Sequence, residues 1–241
     1  MARREEATSR QWPWYVASVV VAALAGGVVL SFYDQIPDPF PTHWGPSGEP
    51  GNFRDKSVSN VLTYLLMVPL FMLLIFGIVA IAVGAAAKSA DREPTRFESA
   101  EDLGRKRMLM SVTLWHLGWY QFVIISMLTV MVGYGLWMGA SGSGFVFWAC
   151  MSVMIAATVA NIVALARHQK RTDKEIPPTN YDPDKLKAGM IYWDPDDERL
   201  FISQADGMNM IPNLARSGAW GLMGALLLPA AIVTLIVVLA G

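Results

Sequence analysis

Three sets of side chains have residue types and spacings that could do chemistry. The first is His43, in a stretch that also holds Asp34, Asp38 and Glu49, a nitrogen-and-oxygen donor set of the kind a divalent cation takes. A lone imidazole without a second ligand at paired spacing is weak metal chemistry, so a packed or hydrogen-bonded histidine is expected and no metal. The second set is polar and lies inside long apolar runs. Thr113, His116 and Tyr120 share one helical face by three- and four-residue spacing, Trp115 and Trp119 lie on another, and Gln121 and Asn161 follow. An ionisable residue in a span is a functional candidate by default. His116, however, lies only about two and a half turns from Arg105, Lys106 and Arg107. A neutral interfacial histidine bonded to a neighbouring helix is therefore preferred to a proton relay, and Gln121 and Asn161 are read as interhelical hydrogen bonders. The third set is acidic: Asp182, Asp184, Asp194, Asp196 and Asp197. A calcium loop needs Gly at its sixth position and a terminal Glu, and neither Asp182 nor Asp194 opens that register, so these are read as turn formers. No Ser/His/Asp order, HExxH, GxSxG or glycine-rich phosphate loop occurs. Catalysis has no visible seat, and a protein that is not an enzyme and carries no cofactor is expected.

The elements that must position these residues are five apolar runs near 14–32, 58–87, 108–138, 145–166 and 217–240, none holding Asp, Glu, Lys or Arg. A bilayer core takes roughly 20 helical residues to cross, and a central charge costs about 2.5 to 3.5 kcal/mol. The expected fold is an all-α transmembrane helix bundle of about five spans with a small cytoplasmic β-hairpin module. In a chain of 241 residues that is 54% hydrophobic, this leaves room for no separate soluble domain. The parts are a two-span N-terminal membrane domain (1–107) with its loop at 33–57, a transmembrane hairpin (108–166), a cytoplasmic module (167–216) and a final helix (217–241).

The 19 Lys and Arg residues are sorted among the gaps as three before the first run, two in 33–57, six in 88–107, none in 139–144 and eight in 167–216. By the positive-inside rule the N-terminus and the 88–107 and 167–216 segments are cytoplasmic, while the 33–57 loop and the C-terminus are extracytoplasmic. A net charge of −1 argues against a nucleic-acid binder, and the basic residues are better explained as topology anchors. Cys150 is the single cysteine, which rules out an intrachain disulfide, and it reads as a small core residue. Ala23-Leu24-Ala25 before Gly26 resembles a signal-peptidase site. The apolar run continues to Phe32, so an uncleaved anchor is favoured.

Small residues at four-residue spacing allow close helix approach in lipid. Ser18, Ala22 and Gly26; Gly135 and Gly139; Ser152, Ala156 and Ala160; and Ser217, Gly221 and Ala225 are read as packing faces, which could equally serve a homo-oligomer. Pro69 and Pro229 should kink the second and fifth helices. The third run is about 46 Å of helix, longer than a 30 Å core, and should tilt or project beside Arg105.

The stretch 36–57 reads IPDPFPTHWGPSGEPGNFRDKS, where five prolines and three glycines forbid regular helix or central strand. Phe40, His43, Trp44 and Phe53 are bulky groups that favour burial, so an ordered loop over the bundle ends is expected. Farther on, Arg167, His168, Lys170, Arg171 and Lys174 form a basic juxtamembrane run suited to anionic headgroups. Beyond it, Met190 to Trp193 and Arg199 to Ser203 flank an Asp-Pro turn and are expected to pair as a hairpin.

Pro37, His43-Trp44, Gly48-Glu49-Pro50 and a closing Lys56 resemble a bacterial membrane domain of unknown function shared with SdpI-type immunity proteins, whose loop runs roughly I-P-x-H-[WFY]-x-x-x-G-x-P. Either Asp38-Pro39-Phe40 stands as an insertion after Ile36-Pro37, or Phe40-Pro41 takes the Ile-Pro place, and the likeness covers about the first 85 residues. The string Tyr192-Trp193-Asp194-Pro195-Asp196-Asp197-Glu198-Arg199-Leu200-Phe201 resembles a second small module, roughly Y-[YW]-N-P-D-D-x-R-L-[FW]-V, with Asp194 in place of its Asn. The resemblance implies a bacterial envelope membrane protein, with immunity or signalling as its role. It singles out His43, Trp44, Gly48, Glu49, Pro50 and Lys56 for binding, and Trp193, Pro195, Asp196, Asp197, Arg199 and Phe201 for the cytoplasmic module. The implied partners are the lipid bilayer, an extracytoplasmic peptide or toxin, and a cytoplasmic regulator. A transporter or channel component, or an accessory subunit of a membrane complex, is the alternative.

Overall fold

The computed structural model describes residues 11–44, 50–91, 93–94, 99–138, 144–177, 183–187, 191–203, 210–221 and 224. Four long helices make up most of it: α1 (Trp12–Ser31), α2 (Val58–Ser89), α3 (Ala100–Met138) and α4 (Gly144–Glu175). Each is long and apolar enough to cross a bilayer. Their free faces carry Val16, Leu24, Phe71, Leu74, Ile81 and Ile155, all exposed. A helix apolar on every side is suited to lipid, and the protein is a multi-pass membrane protein. A further helix starts at Ser217 and is described through Gly221. The rest of the expected fifth span, Pro229 and Ala225 included, lies outside the described residues.

The helix ends depart from the apolar runs in ways the flanking polar residues explain. Pro13 sits in the first turn of α1, where a missing N–H leaves nothing unpaired. The start of α3 lies well before the apolar run because Ser99 and Asp102 cap it reciprocally. The Asp102 N–H donates to Ser99 Oγ and the Ser99 N–H to Asp102 Oδ2, each at 3.1 Å. At 39 residues α3 is about 58 Å long. Pro69 lies inside α2, which continues through it.

Two compact units divide the chain. One comprises residues 1–85 and 111–168, the other 86–110 and 169–241. In the first, Val29, Ile36, Phe40, Val61, Leu65 and Leu136 form one buried cluster and Tyr15, Ala80 and Leu114 another. Ser18, Ala22 and Gly26 are buried together along α1, as the small-residue spacing predicts. Ser152, Ala156 and Ala160 are not: all three are exposed on α4, so among the described residues this stripe makes no packing face. Ser217 and Gly221 are likewise exposed. Gly118 of α3 permits a close helix approach, since a Cβ there would lie 2.9 Å from Trp14 Cδ1 and 3.3 Å from Gln11 Cα. Hydrogen bonds cross this unit from Tyr15 Oη to the Phe76 carbonyl (3.1 Å) and from Ser18 Oγ to Gln121 Oε1 (3.2 Å).

Between α1 and α2 the chain makes a 3-10 turn (Tyr33–Gln35) and two antiparallel strands, β1 (Phe40–Trp44) and β2 (Pro50–Arg54). Their register pairs Phe40 with Arg54, Pro41 with Phe53, His43 with Gly51 and Trp44 with Pro50. The proline-rich loop is therefore a two-stranded hairpin. Such a pair has two free edges, where a proline's missing donor is tolerated. Asn52 adopts φ 51°, a left-handed conformation that Asn accepts better than most residues. The Asp38–Pro39 peptide is cis.

In the second unit, β3 (Leu186–Lys187) pairs with β4 (Ile191–Tyr192), and β5 (Phe201–Ser203) pairs with β6 (Met210–Pro212), both antiparallel. Tyr192 bridges Asn213 in parallel. Tyr192, Ile202 and Ile211 form the core, with Leu186 against it. This corrects the expected hairpin: the segments flanking the Asp-Pro turn do not pair with each other, and each joins a strand on its far side. Met190 lies outside the described residues.

Candidate functional site

The β1–β2 hairpin is held from below by Lys56. Its Nζ donates to the Ile36 carbonyl at 2.9 Å, approaches the Tyr33 carbonyl at 3.4 Å, and lies 5.0 Å above the Tyr33 ring. Its backbone N–H donates to Asp38 Oδ1 at 3.0 Å. The ammonium thus gathers carbonyls of the 3-10 turn that follows α1, a role suited to a cation at a helix C-terminus. Phe40 is fully buried against the helices, its ring tilted on Tyr64, whose hydroxyl donates to the Thr42 carbonyl at 3.0 Å. Thr42 Oγ1 donates to the Asn52 carbonyl across the strands.

Of the bulky residues expected to be buried here, Phe40 is. His43 and Phe53 are exposed, and the register places them as diagonal neighbours on one face of the hairpin. The reason is the strand's alternation, which turns Phe40 towards Tyr64 and puts His43 and Phe53 on the opposite face. Trp44 ends β1 opposite Pro50, the first residue of β2. Gly48 and Glu49 lie outside the described residues. Among the described residues no three His, Cys, Asp or Glu side chains are placed so that they could hold a metal ion.

A second group of polar side chains lies on α3 and α4 in the same unit. His116 is 4% exposed; its Nδ1 lies 3.2 Å from Asn161 Oδ1 and accepts from Trp119 Nε1 at 3.1 Å. Trp119, expected on a different face, reaches back to His116 because residues three apart on a helix are neighbours. The His168 ring is edge-on at 5.7 Å. His116 Nε2 and Gln121 Nε2 are buried with no hydrogen-bond partner among the described residues. Tyr120 Oη pairs with Thr158 Oγ1 at 3.0 Å, and Thr158 donates onward to the Met154 carbonyl, so Tyr120 is the donor.

The third group is the Asp194–Phe201 segment. At its centre stands Asn213, fully buried, which sequence reasoning did not single out. Its Oδ1 accepts from the Asp194 N–H (3.1 Å) and the Ala215 N–H (3.2 Å), and its Nδ2 donates to the carbonyls of Asp194 (2.8 Å) and Asp197 (3.0 Å). All four hydrogen-bonding positions of the amide are filled. Around it, Asp194 Oδ1 accepts the Asp196 N–H and Asp197 Oδ1 the Arg199 N–H, both at 3.0 Å, which are the aspartate-closed turns the sequence suggests. Those closures and the Asn213 hub round the segment into a loop and leave no tight hairpin turn. Arg199 Nη2 meets Asp197 Oδ2 at 2.6 Å, and the guanidinium holds the Asp197 carboxyl below its ordinary value. Trp193 is exposed beneath Lys187, whose Nζ stands 4.8 Å from its ring. Pro195 and Asp196 are exposed, and Phe201 lies in β5 opposite Pro212. Leu200 packs on Gly218, where a Cβ would come within 2.9 Å of it.

Arg105 is another residue with an unforeseen place. It reads as a topology anchor, yet it is 3% exposed and paired with Asp173 of α4. Nothing in the local sequence announces a partner 68 residues away.

The class these features define is a helical multi-pass membrane protein with a hairpin between its first two long helices and a small β module near its C-terminal end. The model of one protein family, described as a domain of unknown function (DUF1648), matches residues 19–68, which span most of α1, the whole hairpin and the start of α2. No curated protein and no solved structure matches the chain.

Proposed function

We propose that the protein is a non-enzymatic component of the bacterial cytoplasmic membrane with an SdpI-like role in immunity or signalling. In this reading the β1–β2 hairpin faces outward and receives an external peptide or toxin, and the Asn213-centred module contacts a cytoplasmic regulator. The observation that carries it is the hairpin itself. Lys56 and Phe40 fix its base while His43 and Phe53 project from one face, a rigid scaffold presenting an imidazole and an aromatic ring to a partner. The sorting of basic residues supports the orientation. The test is a strain lacking the gene, complemented with wild type or with His43→Ala/Phe53→Ala, challenged with peptide toxins secreted by competing bacteria. Raised sensitivity in the deletion and in the double variant is expected. A deletion strain as resistant as its parent would contradict the reading.

The two orphaned nitrogens, His116 Nε2 and Gln121 Nε2, favour a second reading as a transporter or channel component, because unpartnered polar groups within spans line polar paths. Saturable flux across reconstituted vesicles that is lost in His116→Ala would establish it over the first.

A further inference from the structure

The last two turns of α4 are polar, and their cations are arranged on one side. At 100° per residue, Lys170, Arg171 and Lys174 fall within an arc of about 100°, and all three are exposed. Thr172, which is 1% exposed, and Asp173, which is engaged by Arg105, lie on the far side, and the exposed Glu175 borders the arc about 40° beyond Arg171. None of the three cations forms an ion pair among the described residues, and the nearest unengaged acid on the helix is Glu175. Three unneutralised cations on one face thus directly continue the apolar run that ends at Ala166.

The distance from that run fixes what can meet them. Counted from Ala166 at a rise of about 1.5 Å per residue, the Cα atoms of Lys170, Arg171 and Lys174 stand about 6, 7.5 and 12 Å beyond the apolar segment. The headgroup layer of one leaflet is about 5 to 8 Å deep. Lys170 and Arg171 therefore lie at headgroup depth, and Lys174 reaches it by folding its side chain back along the helix.

We propose that this face of α4 is a binding site for anionic phospholipid headgroups. The ligand chemistry is a phosphodiester held at the membrane surface, with Arg171 as the bidentate group and the two lysines as flanking point charges. The site stands whichever reading of the hairpin is correct.

The full chain, purified in neutral detergent micelles, is titrated with fluorescent phosphatidylglycerol and with phosphatidylcholine of the same acyl chains. At about 1 kcal/mol per cation, the preference for phosphatidylglycerol should be about 100-fold at low salt. It should fall steeply by 0.5 M salt and collapse in K170Q/R171Q/K174Q. The variant R171K, which keeps the charge but loses the bidentate fork, should retain part of it, more than the triple variant. Equal binding of the two lipids by wild-type protein, or an undiminished preference in the triple variant, would overturn the proposal. So would displacement of the lipid by millimolar glycerol phosphate, which would mark a site for free phosphate esters instead.

Discussion

Lys56 and Ile36 are joined by a 2.9 Å hydrogen bond from an ammonium to a backbone carbonyl, and this contact turns a proline-rich loop into a fixed platform. The same lysine binds Asp38 through its main chain, so one residue ties both the turn after α1 and the lead into β1 to the start of α2. Lys56→Met keeps most of the aliphatic stem and removes the charge and its donors. It should destabilise the hairpin by about 1 to 2 kcal/mol, the range for hydrogen bonds to a charged donor that is part exposed. Amide hydrogen exchange over 40–54 should accelerate correspondingly, with exchange in α3 unaffected. Unchanged protection of the hairpin would remove Lys56 from this role.

Asn213→Leu leaves the Asp194 and Ala215 N–H groups and the Asp194 carbonyl without partners, while the Asp197 carbonyl keeps the Arg216 Nε–H. Each lost partner costs about 1 to 3 kcal/mol, so a total above about 3 kcal/mol is expected. Asn213→Asp should be nearly as harmful, since a carboxylate cannot donate to the carbonyls of Asp194 and Asp197. Limited proteolysis should then cut within 194–200 in both variants and not in wild type.

The stability of this module should depend on pH through Asp197. Its carboxyl is held below the ordinary value of 3.8, chiefly by hydrogen bonding from Arg199. A depressed carboxylate stabilises the fold above its unfolded value and loses that contribution as pH falls through the lower folded one. Stability should therefore be level from pH 7 to about 5 and decline below about 4. In Asp197→Asn that acid decline should be smaller. Hydrogen exchange at Asn213 and Leu214 from pH 3 to 6 measures it, and an equal acid loss in the variant would assign the effect elsewhere.

Gly118→Ala should destabilise the contact between α1 and α3 by about 1 to 3 kcal/mol, because the new methyl meets the Cα of Gln11 as well as the movable edge of Trp14. Gly27→Ala, with nothing near its Cβ, is the control and should be neutral or mildly stabilising. Thermal unfolding in detergent compares the two, and equal midpoints would argue against the close approach.

The spans were legible because burying charge in a bilayer is costly enough to clear Asp, Glu, Lys and Arg from each run, and that absence is visible residue by residue. The buried face of α1 was legible for a similar reason: Ser18, Ala22 and Gly26 recur at helical spacing. Where the same spacing recurs in α4, lipid and helix interfaces both accept small residues, and pattern alone does not separate them. The β pairings were misread because strand propensity marks Ile191–Tyr192 and Phe201–Ser203 without naming their partners. The choice between partners is made by Asn213, an isolated amide acting on groups 16 and 19 residues earlier. The exposure of His43 and Phe53 was missed for a related reason. Strand alternation puts them on the face opposite Phe40, and that pattern applies only once the proline-rich loop is known to be a hairpin.

The most direct test of the account is which side of the membrane the hairpin occupies. With Cys150 replaced by Ser, a cysteine is placed at Phe53 or at Asp196, both exposed positions on the protein surface, and intact cells are treated with a membrane-impermeant maleimide. The account predicts labelling of Phe53→Cys in intact cells and labelling of Asp196→Cys only after the membrane is permeabilised. Labelling of Asp196→Cys in intact cells, with Phe53→Cys protected, would contradict it.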